Sequence, residues 1–123
     1  MKSFAAFTLA LLLSIPALAD LKLGTYKLDG ANPNGSRYSG SVKIEALGEN
    51  YKLSWIIGSE GQQAQSGHAI LEGDVLSVAY MDASGADFGT VAFKQVSETR
   101  FEGKWSSFQS EMQGTEILEF SGR

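Results

Sequence analysis

The sequence predicts an all-β protein, an eight-stranded antiparallel up-and-down meander that closes into a barrel. Three observations carry this expectation. Apolar and polar residues alternate with period two, as in Tyr38-Ser39-Gly40-Ser41-Val42-Lys43-Ile44-Glu45, the pattern of a strand with one buried and one solvated face. Beyond residue 19 no segment shows the i, i+3, i+4, i+7 spacing of an amphipathic helix. All 14 glycines lie in that same region with Pro33 as its one proline, a balance suited to tight turns between many strands.

The chain starts with a segment that reads as a signal peptide, residues 1–19. Lys2 gives a positive start, Phe4 to Ile15 form an apolar run, and Pro16-Ala17-Leu18-Ala19 supplies a small-residue cleavage site before Asp20. The run is too short and wrongly flanked for a spanning helix. There is no cysteine, which closes the lipid-attachment route and leaves no disulfide to form. Residues 20–123 are then expected to form a single exported β-barrel domain, periplasmic or secreted. Its acidity, a net charge of −4 for the whole chain without Lys/Arg clusters, argues against nucleic-acid binding.

The first strand is expected from Leu21 to Leu28, ending at Asp29-Gly30. Asn32-Pro33-Asn34-Gly35 follows as turn chemistry, because Pro fixes φ and Asn-Gly tolerates positive φ. The second and third strands, Tyr38 to Ala46 and Tyr51 to Gly58, form a hairpin about Gly48-Glu49-Asn50. Gly58-Ser59-Glu60-Gly61 turns into a fourth, Gln63 to Leu71, and Glu72-Gly73-Asp74 into a fifth, Val75 to Met81. Asp82 to Ala86 leads to a sixth, Phe88 to Val96, and Ser97-Glu98-Thr99 to a seventh, Arg100 to Ser106. A looser Ser107 to Glu111 precedes the eighth, Met112 to Ser121. Every connection is short enough for neighbours to pair antiparallel, and eight strands suffice to close a small barrel. A two-sheet sandwich needs longer crossovers, for which only Gly30 to Arg37 is a candidate.

Parity assigns the interior to Tyr26, Leu28, Tyr38, Val42, Ile44, Tyr51, Leu53, Trp55, Leu76, Val78, Tyr80, Val91, Phe93, Phe101, Trp105, Met112, Leu118 and Phe120. Mid-strand Gly40, Gly67, Gly103 and Gly114 weaken strand preference; they are expected to ease sharp coiling and leave room for aromatic rings. A weak repeat relates Gly40-x-Val42-x-Ile44 with Tyr51-x-x-x-Trp55 to Gly89-x-Val91-x-Phe93 with Phe101-x-x-x-Trp105, on hairpins that a barrel places opposite each other. The outward series Ser39-Ser41-Lys43-Glu45 and Arg100-Glu102-Lys104-Ser106 exclude a membrane-spanning barrel, whose outer band must be apolar. Outward Ile56, Ile70, Val75, Ala79 and Met81 are either a homodimer patch or scattered single residues.

Little in the chain points to catalysis. His68 is the one histidine and reads as an ordinary strand residue, no nucleophile or nucleotide motif occurs, and the acidic residues lack metal-loop spacing. No cofactor is called for. The informative polar residue is Glu116, which in Met112-x-Gly114-x-Glu116-x-Leu118-x-Phe120 shares parity with apolar side chains. Two orientations remain open. If it points inward, its charge requires donors such as the Tyr38 or Tyr80 hydroxyl, a Trp indole N–H or a ligand; if the strand is flipped or bulged, Thr115 and Ile117 are inside and Glu116 is in solvent. A third arrangement pairs it with Arg37 or Arg100 at the barrel mouth.

The pattern Gly24-Thr25-Tyr26, Asn32 to Tyr38, Tyr51 to Trp55, Leu76 to Tyr80, Gly103 to Trp105 and Gly114-Thr115-Glu116 resembles a group of small exported bacterial proteins, many of which carry the name fibronectin-binding protein. The layout is also similar to avidin and lipocalin barrels in strand number and order. Avidin's ligand residues cannot be placed on this chain, and Gly24-Thr25-Tyr26 stands where lipocalins have G-x-W. The resulting expectation is a binding protein rather than an enzyme. It would hold a small, mostly apolar ligand at the barrel mouth, between Tyr38, Trp55, Tyr80 and Trp105, with Glu116 as polar anchor. The resemblance implies an alternative, an extracellular protein-interaction module that uses its outer face and loops.

Overall fold

The computed structural model describes residues 21–58 and 63–123. The expected signal peptide, and Ser59, Glu60 and Gly61 of the third-to-fourth strand turn, lie outside the described residues. Eight strands follow in order: β1 (Gly24–Ala31), β2 (Arg37–Leu47), β3 (Asn50–Ile57), β4 (Gln63–Glu72), β5 (Val75–Asp82), β6 (Phe88–Ser97), β7 (Arg100–Ser107) and β8 (Gln113–Gly122). Each pairs antiparallel with its neighbour in sequence, and β8 pairs back onto β1, so the sheet closes without an edge. The sandwich alternative is thereby replaced by a single closed barrel.

The hairpins form as their turn residues dictate. Gly48-Glu49 and Gly73-Asp74 are two-residue loops between the paired positions Leu47↔Asn50 and Glu72↔Val75. Each has glycine first with φ +63°, the conformation a two-residue hairpin needs to match strand twist. In the Asn32-to-Ser36 connection, Asn32 N donates to Ser36 O at 2.8 Å and Gly35 N to Asn32 O at 2.8 Å.

Strand parity follows the alternation closely. Tyr26, Leu28, Val42, Ile44, Leu53, Trp55, Leu76, Val78, Tyr80, Val91, Phe93, Phe101 and Leu118 are buried, while Tyr38, Tyr51, Trp105 and Phe120 are partly buried against them. Met112 is the correction: it is 59% exposed and belongs to the β7–β8 connection, because the ladder begins at Gln113 and its first inward position is Gly114. The β1 boundary shifts as well, from Leu21–Leu28 to Gly24–Ala31. Asp29-Gly30 looks like a strand terminator in sequence, yet Gly30 is a ladder residue, paired with Tyr38 on one side and Glu116 on the other.

Most exposed strand positions are polar or charged. Lys43 and Glu45 approach to 3.7 Å, and Arg100 reaches both Glu102 and Glu119 at 3.2 Å. His68 is exposed on the outer wall of β4. Ile70 and Met81 also face outward, 57% and 49% exposed. Among the described residues no helix is long and apolar enough to cross a membrane.

The two ends of the barrel differ. At one end sit the two-residue turns, and between them a packed plug in which Tyr26 meets Phe101 at 5.8 Å and Phe120 at 5.3 Å, and Phe93 meets Phe101 at 6.2 Å, near edge-on. At the other end the longer β1–β2, β5–β6 and β7–β8 connections surround an open mouth. The repeat noted in the sequence survives as geometry, since Val42 faces Trp55 across β2–β3 and Val91 faces Trp105 across β6–β7. These hairpins lie four strands apart in a ring of eight, so the two indoles come from opposite walls.

Candidate functional site

The open mouth leads into a cavity of about 330 Å³. Tyr38 (β2), Trp55 (β3), Tyr80 (β5), Trp105 (β7) and Glu116 (β8) all line it, so the tertiary structure brings together every residue singled out from sequence.

Each ring stands where it does because a neighbouring strand carries glycine. Tyr38 lies over Gly30, Trp55 over Gly67, Tyr80 over Gly89 and Trp105 over Gly114; a methyl group at any of these glycines would overlap the ring. Three of the four are direct cross-strand partners: Gly30↔Tyr38, Tyr80↔Gly89 and Trp105↔Gly114. The bare backbone at these glycines gives the ring atoms that approach them room a side chain would occupy. Gly103 plays the same part for Phe93 in the packed end. Gly40 differs, since a Cβ there would meet the Ile56 and Ile57 backbone rather than a ring.

Glu116 points inward, which settles the choice between the two orientations of β8; Thr115 is exposed on the opposite face. The carboxylate is only 5% exposed. Tyr38 Oη donates to Oε2 at 2.6 Å and Trp55 Nε1 donates to Oε1 at 3.1 Å. The first bond depends on Gly30. Tyr38, Gly30 and Glu116 lie in one row across β2, β1 and β8, and the missing side chain in the middle lets the phenol reach over β1. Two hydroxyl and indole donors thus hold Glu116, and neither Arg37 nor Arg100 does: Arg37 is exposed and Arg100 is engaged by Glu102 and Glu119.

Burial is the largest influence on Glu116 and raises its pKa, outweighing the two hydrogen bonds that favour the anion. The Tyr38 phenol is held far above its ordinary range, by burial first and then by the charge and hydrogen bond of Glu116. The nearby Trp105 indole pulls the other way, although its buried Nε1 lacks hydrogen-bond geometry to any described residue. Tyr80 is pushed up to about 12, by burial and then by the charge of Asp87.

Alternation did not single out Asn32, Ile57, Gln65, Asp87 and Val91 as site residues, yet they complete the wall. Val91 and Gln65 carry a usable signal, the first as an inward β6 residue and the second by sharing parity with Gly67 and Ala69. Asn32 and Asp87 carry none, because they sit in connections. Asp87 is placed by Ser107 Oγ, which donates to Oδ1 at 2.7 Å, and by its carbonyl, which accepts from Asp82 N at 2.9 Å. Among the described residues no group of three or more His, Cys, Asp or Glu is arranged to hold a metal ion. Chemically, the site combines four aromatic side chains, a deep carboxylate and a rim carboxylate.

No protein-family model matches the chain, and no curated protein sequence matches it. Solved structures do. A redesigned β-barrel aligns with a TM-score of 0.73 at 16% identity, over 85% of this chain and 93% of that one. The redesigned barrel mFAP1, bound to DFHBI, aligns at 0.70 and 18% identity, over 84% and 95% of the two chains. A de novo designed fluorescence-activating barrel aligns at 0.68 and 13% identity, over 87% and 100%. At these identities the likeness is one of fold: all are β-barrels of this chain's size.

Proposed function

We propose that this chain is an exported binding protein that holds one small, mostly apolar ligand in the mouth of its barrel. The observation that carries the reading is the cavity of about 330 Å³ that Tyr38, Trp55, Tyr80, Trp105 and Glu116 line together. A volume of this size lies at the lower end of the range of about 300–1,000 Å³ for small-molecule sites, and an apolar wall with few placed polar groups is their usual make-up. That a barrel of the same fold is bound to DFHBI supports the view that such a scaffold accommodates a compact ligand. Export rests on the leader-like residues 1–19, and intact-mass analysis of protein recovered from its own cells is expected to give a chain beginning at Asp20.

The test is native mass spectrometry of protein purified gently from its own source, beside the Trp55→Ala/Trp105→Ala double variant. A small-molecule adduct on the wild type, lost on denaturation and absent from the folded double variant, is the expected result. If instead both proteins are bare and both capture the same protein partner, the barrel acts through its outer face and loops, as its resemblance to fibronectin-binding proteins implies.

A further inference from the structure

The chemistry of the cavity specifies the charge of what it holds. Glu116 has two oxygens, and each accepts one hydrogen bond from a neutral donor, Trp55 or Tyr38. An ionised carboxylate has lone pairs for about two bonds per oxygen, so each oxygen keeps one acceptor direction. Among the described residues that line the cavity there is no Lys, Arg or His, so none of them carries a countercharge. The wall's second ionisable acid, Asp87, adds negative potential at the rim, enough to act on the Tyr80 phenol. The groups that face Glu116 from the other strands are Tyr38 on β2 and Tyr80 on β5, both phenols, while Gly30, Trp55, Gln65 and Trp105 present nothing that titrates.

The rings add to this field. An aromatic face is negative and attracts a cation within about 6 Å of its centroid, more strongly when water is excluded. Trp55 and Tyr80, both lining the cavity, stand 6.2 Å apart and tilted by 57°. An anionic ligand would meet two carboxylates, and a neutral one would leave Glu116 buried without a counterion. We infer that the cavity selects a small organic cation, a flat or apolar body carrying a protonated amine that takes the open acceptor positions of Glu116 while the four rings enclose the body. This inference rests on the small-ligand reading above and names its ligand class.

The test compares three probes of one shape: phenethylamine as the cation, 2-phenylethanol as the neutral analogue and 3-phenylpropanoate as the anion. With only two tryptophans in the chain, the indole N–H signals of Trp55 and Trp105 report binding directly in an NMR titration at neutral pH. The amine is expected to bind about ten- to a hundredfold more tightly than the alcohol, the range of a hydrogen bond to a charged group, and the anion most weakly. In Glu116→Gln the amine-to-alcohol ratio should collapse toward one. Asp87→Asn, at the rim, should lower the ratio by a smaller factor and serves where Glu116→Gln does not fold. Amine affinity should also rise as pH climbs through the titration of Glu116, while that of the alcohol does not.

The arms fail separately. If the alcohol binds as tightly as the amine, or the ratio survives Glu116→Gln, the cation inference is overturned and the pocket stands, with Glu116 reduced to a brace for Tyr38 and Trp55. If none of the probes moves either indole signal at tens of millimolar, the inference and the small-ligand reading fall together.

Discussion

The two ends of this barrel are made from the same eight strands, yet one is a solid plug and the other a lined hollow. At the plug end Tyr26, Phe93 and Phe101 meet edge-on beneath two-residue turns, with Leu53, Leu76 and Leu118 fully buried. At the mouth end comparably large rings sit beside glycines, and the longer connections carry Asn32 and Asp87 to the rim. Ring content is therefore not what separates a core from a pocket. What separates them is the length of the connections that close each end, and whether a buried acid lines the interior.

The largest expected effect that would break this comparison is at the plug. Phe101→Ala should cost about 3–5 kcal/mol, the range for emptying a buried aromatic site, read from urea unfolding. The matching Trp105→Ala, at a partly exposed ring beside existing space, should cost less than half as much. Equal losses would mean that the mouth is core after all.

Next in size is a pair of glycine substitutions. Gly103→Ala forces the fully buried Phe93 ring against neighbours with no room to move, whereas Gly114→Ala pushes Trp105 toward the cavity. Overpacking typically costs about 1–3 kcal/mol; Gly103→Ala should fall at the top of that range and Gly114→Ala at the bottom. Gly114→Ala should in addition shift the tryptophan emission, because the displaced indole enters the mouth. An unshifted spectrum would show that the ring does not depend on that glycine.

The smallest effect is a pH dependence confined to the mouth. Glu116 has a folded-state pKa above its unfolded one, so the folded protein binds the proton more tightly. Its contribution to stability is thus fully present below the ordinary carboxylate range and is lost as pH rises through the raised folded-state value. Unfolding midpoints should fall across that window in the wild type and be flatter in Glu116→Gln. A variant that retains the full slope would assign it to other carboxylates.

How much of this was legible in the sequence depends on how far apart the interacting residues lie. The strand count, the hairpin turns at Gly48 and Gly73 and the inward parity of residues such as Val42, Ile44 and Phe93 are local, since alternation and turn chemistry act over a few residues. The five residues proposed for the mouth were legible for the same reason: inward parity plus aromatic or acidic character. Asn32 and Asp87 were not, because a connection has no period from which to read direction. Met112 was misplaced because parity was extended one residue beyond the ladder.

The sequence by itself determined eight strands, which face of each is buried, and that glycines interrupt them. Only the tertiary structure decided which ring each glycine accommodates and where Glu116 goes. The Glu116 partners Tyr38 and Trp55 are 78 and 61 positions away, and they reach it only because β8 closes onto β1 in the register that sets Gly30 between Tyr38 and the carboxylate. Closure is a property of the whole sheet: a shift of one residue in β8 would turn Glu116 into solvent and Ile117 inward without changing any local pattern. Periodicity ties a side chain to a face, whereas the hydrogen bonds that make the face a site arise from register across strands.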